Sequence, residues 1–248
     1  MQLPFDIVDY IFSLLVSDRK TLIACSKDPV LFPFVERHIH DHIIVQFGIK
    51  TTTDTDDALR LAFGPENLVK LVSENPHIVY YVRILQIQVD SGHPDEMDDS
   101  FANTLLKFPG LECIMLAASK ARGWDVLDSF RAALEDRLNL PTVKEVHLRG
   151  DRTPLSLLNN SKNITNLSLS GFSIENQLCA STLPQLHSLR LLTRDVSPLL
   201  LAWIKCHIQE LRSFKCALRN GQDILGLLEL CSGTLEKLDL SVGYLRCM

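Results

Sequence analysis

A pattern of the form apolar-x-x-apolar-x-apolar recurs seven times from Val82 onward, and nothing else in the chain limits its fold as tightly. The segments are VRILQI from Val82, LECIML from Leu111, VKEVHL from Val143, ITNLSL from Ile164, LHSLRL from Leu186, LRSFKC from Leu211 and LEKLDL from Leu235. Their starts are 29, 32, 21, 22, 25 and 24 residues apart. In a strand, residues two apart point to one side and the residue between them to the other. The last two apolar residues of each segment therefore share one face of a short strand, and the first turns the chain into it. Stretches of helical character lie between the strands: SFANTLLKF, DVLDSFRAALEDRL, SPLLLAWIKC and GQDILGLLEL. One strand–helix unit cannot bury its own apolar face, whereas stacked units share a continuous core. The expectation is an α/β solenoid, a curved parallel sheet with outer helices. A conventional α/β domain with parallel strands is the competing fold. A dinucleotide-binding fold fits less well, because no glycine-rich phosphate loop follows any of these strands.

The residues before the repeats have a different period. Ile7, Val8, Ile11, Phe12, Leu14 and Leu15 recur at three- and four-residue steps and predict an amphipathic helix. Pro4 suits its first turn, and Asp6 and Asp9 complement its dipole. A second helix is expected over Arg19 to Ser26, and a third from about Phe32 towards His40, after Pro29 breaks the chain. TTTDTDD (51–57) and SGHPDEMDD (91–99) are expected as polar loops; the second lacks the spacing of a calcium loop. A helical stretch is expected across Leu59, Leu61, Phe63, Leu68, Val69, Leu71 and Val72, interrupted at Gly64-Pro65. The expected division is a helical domain over 1–48, a linker with capping helices over 49–81 and the solenoid over 82–248.

Composition narrows the partners. Hydrophobic residues make up 46% and charged residues 22% of the 248 residues, enough apolar content for a large core. A net charge of −5 without a long Lys/Arg run argues against nucleic acid or an anionic membrane as the main partner. No run of about eighteen apolar residues predicts a membrane span. The start does not fit a signal peptide, since it lacks a positive segment and Asp6 and Asp9 interrupt it. The seven cysteines have no paired spacing, which fits buried thiols in a reducing compartment. On this basis the sequons at Asn159, Asn163 and Asn166 are expected to stay unmodified turn residues. The last repeat begins at Leu235 and only eight residues follow Leu240. No polar cap is visible there, so either a shortened chain or pairing of the open end is expected.

The N-terminal residues resemble an F-box. Leu3, Pro4, Asp6, Ile7, Ile11, Phe12, Leu14 and Leu15 follow that motif's order and spacing, and Leu22 fits its later leucine. The motif's usual Cys and Trp are replaced by Pro29 and Phe32. Together with the irregular leucine-rich repeats, spaced largely within the usual range of about 20–29 residues, the chain resembles F-box/leucine-rich-repeat proteins. LVSENPHIVYYVRILQIQV is similar to the junction in fungal members. The resemblance implies a non-catalytic substrate receptor of an SCF-type ubiquitin ligase, in the cytoplasm or nucleus. The F-box would hold a Skp-type adaptor and, through it, a cullin, while the repeats hold an unknown target protein. It implies no cofactor and no metal. Adaptor contacts are expected among Leu3, Pro4, Ile7, Ile11, Phe12, Leu15 and Leu22, some of which must instead pack the helices together. For the target, the residues between the paired apolar strand positions are the candidates: Gln86, Met115, His147, Ser168, Arg190, Lys215 and Asp239.

Two other functions compete. One is a leucine-rich-repeat scaffold with no ligase role. The other is a metal-dependent hydrolase using His38, His40 and His42 in RHIHDHIIV. That run is one residue short of the His-x-His-x-Asp-His of metallo-β-lactamase-like enzymes, and the residues before it look helical rather than extended. No G-x-S-x-G, H-E-x-x-H or P-loop is present.

Overall fold

The computed structural model describes residues 4–15, 18–48, 61–89, 99–118, 128–150, 155–158, 160–171, 185–192, 198–217 and 222–241. Three short helices come first: α1 (Phe5–Leu14), α2 (Arg19–Cys25) and α3 (Phe32–His40). Each lies where the apolar spacing and the prolines place it. The Asp18 side chain starts α2 by accepting from the Thr21 N–H at 3.2 Å and the Thr21 hydroxyl at 2.7 Å, the usual work of an N-cap aspartate. Phe12, Leu22, Val35 and Ile39 form the buried centre of the three helices, with Val8, Leu15, Cys25, Leu31 and Phe34 packed around them.

Beyond α3 the chain builds one nine-stranded parallel sheet in the order β2-β1-β3-β4-β5-β6-β7-β8-β9. The strands are β1 (His42–Phe47), β2 (Leu61–Phe63), β3 (Ile84–Val89), β4 (Cys113–Ala118), β5 (Glu145–Arg149), β6 (Asn166–Ser170), β7 (Ser188–Leu192), β8 (Ser213–Cys216) and β9 (Lys237–Leu240). All seven segments of the repeat become strands β3 to β9. The helices between them are α4 (Pro65–Glu74), α5 (Asp99–Leu105), α6 (Asp128–Leu138), α7 (Pro198–Lys205) and α8 (Gln222–Cys231). Short 3-10 turns cover Pro76–Tyr80 and Leu155–Leu158.

Two strands differ from the expected division. The sheet begins at His42, so 42–47 and 61–63 belong to it rather than to a helical domain and a linker. β1 carries the paired apolar positions Ile43 and Val45, but the position three residues before Ile43 is His40, so the segment breaks the sequence pattern at its entry residue. Leu61–Phe63 is extended and pairs with β1, where a helix was expected. The helix starts only at Pro65, after Gly64 in extended backbone (φ −66°, ψ 157°). Proline disfavours the helical region for the residue before it and is itself well suited to the first helical position. Nearly all of the loops expected at 51–57 and 91–99 lie outside the described residues; Asp99 opens α5.

The stacking repeats down to single hydrogen bonds. At each strand entry one carbonyl accepts two N–H groups from the next unit. Asp41 accepts from Arg83 and Ile84, Arg83 from Glu112 and Cys113, and Glu112 from Lys144 and Glu145. Lys144, Thr165, His187 and Arg212 continue the series to Lys237. The paired apolar residues of β3 to β8, from Leu85 and Ile87 to Phe214 and Cys216, are buried in one core with α4 to α8. Phe47, Phe101 and Phe130 form an aromatic cluster within it, with ring centroids 5.1 to 6.3 Å apart. At β9 the equivalent residues Leu238 and Leu240 are 46% and 47% exposed. The core ends at that edge among the described residues.

Gly150, after β5, has φ of 120°, and a Cβ there would lie 2.2 Å from the Ala118 carbonyl oxygen. Its N–H donates to the Ser170 carbonyl at 2.9 Å. Only glycine fits this close passage between neighbouring strand ends.

Candidate functional site

The first candidate surface is the outer face of α1. Ile7, Tyr10, Ile11 and Leu14 are 44%, 64%, 43% and 63% exposed. They stand at i, i+3, i+4 and i+7, so they line one stripe. The exposed Phe5, Ile23 and Phe32 on these helices, and Val30 in the turn before α3, add apolar surface. Phe12, Val8 and Leu15 point to the opposite side, into the small core. The expected adaptor contacts therefore separate. Ile7, Ile11 and Pro4 are on the surface. Phe12 and Leu22 are buried and Leu15, partly buried, packs beside them, so these are the members of the set that pack the helices together. Leu3 lies outside the described residues. Tyr10 and Leu14 are exposed members of the stripe that the expected contact set omits, although the same helical period points to both.

RHIHDHIIV straddles the join between α3 and the sheet. His38 Nε2 lies 3.0 Å from Asp9 Oδ1 on α1, and Arg37 pairs with the same carboxylate. Burial, and then the Arg37 charge, hold the His38 imidazole below its ordinary pKa, with Asp41 pulling the other way. His40 Nδ1 lies 2.9 Å from the Glu36 carbonyl one turn back, and His42 is the first residue of β1. The three histidines serve different elements, and among the described residues they form no ligand cluster. Glu36, almost fully buried, reaches His77 at 2.9 Å and ties α3 to the turn that precedes β3.

The second candidate surface is the face of the sheet turned away from α4 to α8. Strand register aligns one residue from each unit into a row: Ile44, Gln86, Met115, His147, Ser168, Arg190, Lys215 and Asp239. This row contains every residue expected to meet a target. Arg190 is exposed and His147, Lys215 and Asp239 are half-buried. Ser168 is buried, a correction for that position: its short side chain offers little surface between larger neighbours. Lys215 Nζ donates to Asp239 Oδ2 at 2.5 Å, and that bond with the Lys215 charge holds the Asp239 carboxyl below the usual range. Beside this row run His42, Ile84, Cys113, Glu145, Asn166, Ser188, Ser213 and Lys237.

Three side chains from the two rows converge. Cys113 and Glu145 are register partners on β4 and β5, and His147 is two residues beyond Glu145 on the same face. His147 Nε2 lies 2.7 Å from Glu145 Oε1. The donor atoms of all three lie within 4.8 Å of one another. Burial and the neighbouring Glu145 charge push the Cys113 thiol up to about 12. Sequence reasoning named His147 but not its companions. Aligning LECIML above VKEVHL would have placed Cys over Glu and Met over His, so the signal was in the repeat itself. A shallow groove of about 420 Å³ between α5 and α6 is lined largely by alanines, Leu106, Asp99, Asn103 and Asp136; it gathers no comparable set. No described helix is long and apolar enough to cross a membrane. Searches against family models, curated proteins and solved structures returned no match.

Proposed function

We propose that this chain is the non-catalytic substrate-recognition subunit of an SCF-type ubiquitin ligase. In this reading the three N-terminal helices hold a Skp-type adaptor, which joins them to a cullin, and the open face of the sheet holds a target protein. The observation that carries it is the stripe of Ile7, Tyr10, Ile11 and Leu14, four large apolar side chains left exposed on one helix. An amphipathic helix that docks into a groove presents anchors at this spacing. The resemblance of residues 3–22 to an F-box gives the groove its owner. The row from Gln86 to Asp239 offers a polar surface on rigid strands, where a target can be positioned close to a ubiquitin-charged enzyme. Such a subunit accelerates transfer by raising the effective concentration of target lysines, with no chemistry of its own.

The test is co-purification of the full chain with a Skp-type adaptor. Ile11→Glu and Tyr10→Ala are expected to weaken the complex, each by about 2 kcal/mol for a central anchor, or roughly thirtyfold. The helices should remain folded by circular dichroism. Undiminished capture of the adaptor by Ile11→Glu would remove the reading.

A further inference from the structure

We infer that Cys113, Glu145 and His147 form a zinc-binding site on the open face of the sheet. This rests on the geometry of β4 and β5 and does not depend on the adaptor reading.

The donor set is a thiol, an imidazole and a carboxylate, which together suit zinc among the common divalent ions. The backbone supplies the spacing. Parallel neighbours lie about 4.8 Å apart and residues two apart on a strand about 6.6 Å, all on one face. Cys113, Glu145 and His147 occupy three corners of that rectangle, and Met115 occupies the fourth by register. In a tetrahedral site, zinc–donor bonds of about 2.0–2.3 Å place the donors roughly 3.4–3.6 Å apart. Here all three already lie within 4.8 Å. The Glu145–His147 contact of 2.7 Å must widen slightly and the thiol must approach. Cys113 is buried on the strand and gives a fixed point, while Glu145 and His147 are partly exposed to solvent. Among the described residues, no other group of three histidine, cysteine, aspartate or glutamate side chains gathers this closely.

Three protein donors leave the fourth position of the ion for water or for a donor from a bound molecule, as in open rather than closed zinc sites. Because His147 belongs to the expected target-binding row and Cys113 and Glu145 lie in the row beside it, zinc there would give that face a specific anchor for a partner's histidine or carboxylate.

The experiment is a cobalt titration of the full, metal-stripped chain, followed by displacement with zinc. About one equivalent of cobalt should bind with tetrahedral visible bands and a thiolate-to-metal charge-transfer band, and zinc should abolish both. Cys113→Ser should remove the charge-transfer band. His147→Ala and Glu145→Gln should each lower the apparent affinity at least about tenfold. Cys206→Ser, at an exposed thiol elsewhere, should change nothing. His147→Ala and Glu145→Gln alter partly exposed residues, so they keep the test decisive if Cys113→Ser fails to fold. Cobalt bound without a thiolate band, which would point to the histidines of RHIHDHIIV, overturns the site. So does a band that survives Cys113→Ser or affinity unchanged in both other variants. Absence of binding at micromolar metal overturns it as well.

Discussion

Ile11 and Phe12 are adjacent and both apolar, yet they have opposite surroundings. Phe12 fills the centre of three small helices, and Ile11 faces solvent. Phe12→Ala should therefore cost roughly 3–5 kcal/mol, the usual range for emptying a buried phenylalanine site, and it should melt α1 to α3 in a urea titration. Ile11→Ala should leave that transition within about 0.5 kcal/mol. Equal destabilisation by both would mean that the stripe is core, and it would undercut the docking surface. Gly150 makes a second residue-scale case. Its positive φ and the adjacent Ala118 carbonyl leave no room for a methyl group. Gly150→Ala should lose more than about 1 kcal/mol, read as a lowered midpoint of thermal unfolding. Thiol chemistry should follow burial. Cys216, in the core, has its pKa pushed up to about 11 by desolvation, while Cys206 is exposed. Iodoacetamide at about pH 8 should alkylate Cys206 well before Cys216, because the thiolate is the reactive form; mass spectrometry of the peptides reads the order.

At the scale of elements, the strands that the sequence made legible were those with a complete pattern. Val82, Leu111, Val143, Ile164, Leu186 and Leu211 all enter their strands as buried apolar residues, and Leu235 packs on the core. β1 escaped because His40 replaces its entry residue, and β2 because three extended residues look no different from the start of a helix that Pro65 in fact begins. The helices α1 to α3 were legible from period and proline alone. Which of their apolar residues were core was not, since a stripe exposed to solvent and a stripe facing a neighbour have the same period. The Cys113–Glu145–His147 cluster was hidden for another reason: Cys113 and Glu145 stand 32 residues apart, and strand register alone makes them neighbours. Within the sheet, the same leucine has unequal weight at different units. Leu167 on β6 is 2% exposed, with strands on both sides. Leu167→Ala should cost about 2–5 kcal/mol, and Leu238→Ala on the edge strand β9 about 1 kcal/mol or less. Comparable losses by chemical denaturation would show that β9 packs as an interior strand does.

At the scale of the whole molecule, stability should be graded along the sheet. Each unit contacts its neighbours through the same shared-carbonyl bonds and the same pair of apolar positions, so each strand depends on having a covered strand on either side. β5 and β6 have that on both edges. Among the described residues, β2 is three residues long and pairs only with β1, and β9 pairs only with β8. The Glu36–His77 pair, with Asp41 accepting from Arg83 and Ile84, fastens the helical unit to the sheet at β1. This anchorage protects one end in a way that β9 lacks among the described residues. Local opening should therefore be easiest at β9 and hardest in the middle. Hydrogen exchange followed by mass spectrometry on the full chain should find the slowest amides in β4 to β7 and the fastest strand amides in β9, with β1 much slower than β9. Slow exchange in β9, equal to that of β5, would require that the exposed faces of Leu238 and Leu240 be covered in solution. Repeating the measurement over a range of protein concentrations would then identify the cover. Protection that rises with concentration means a second copy of the chain, and protection that does not means a cover from within the chain itself.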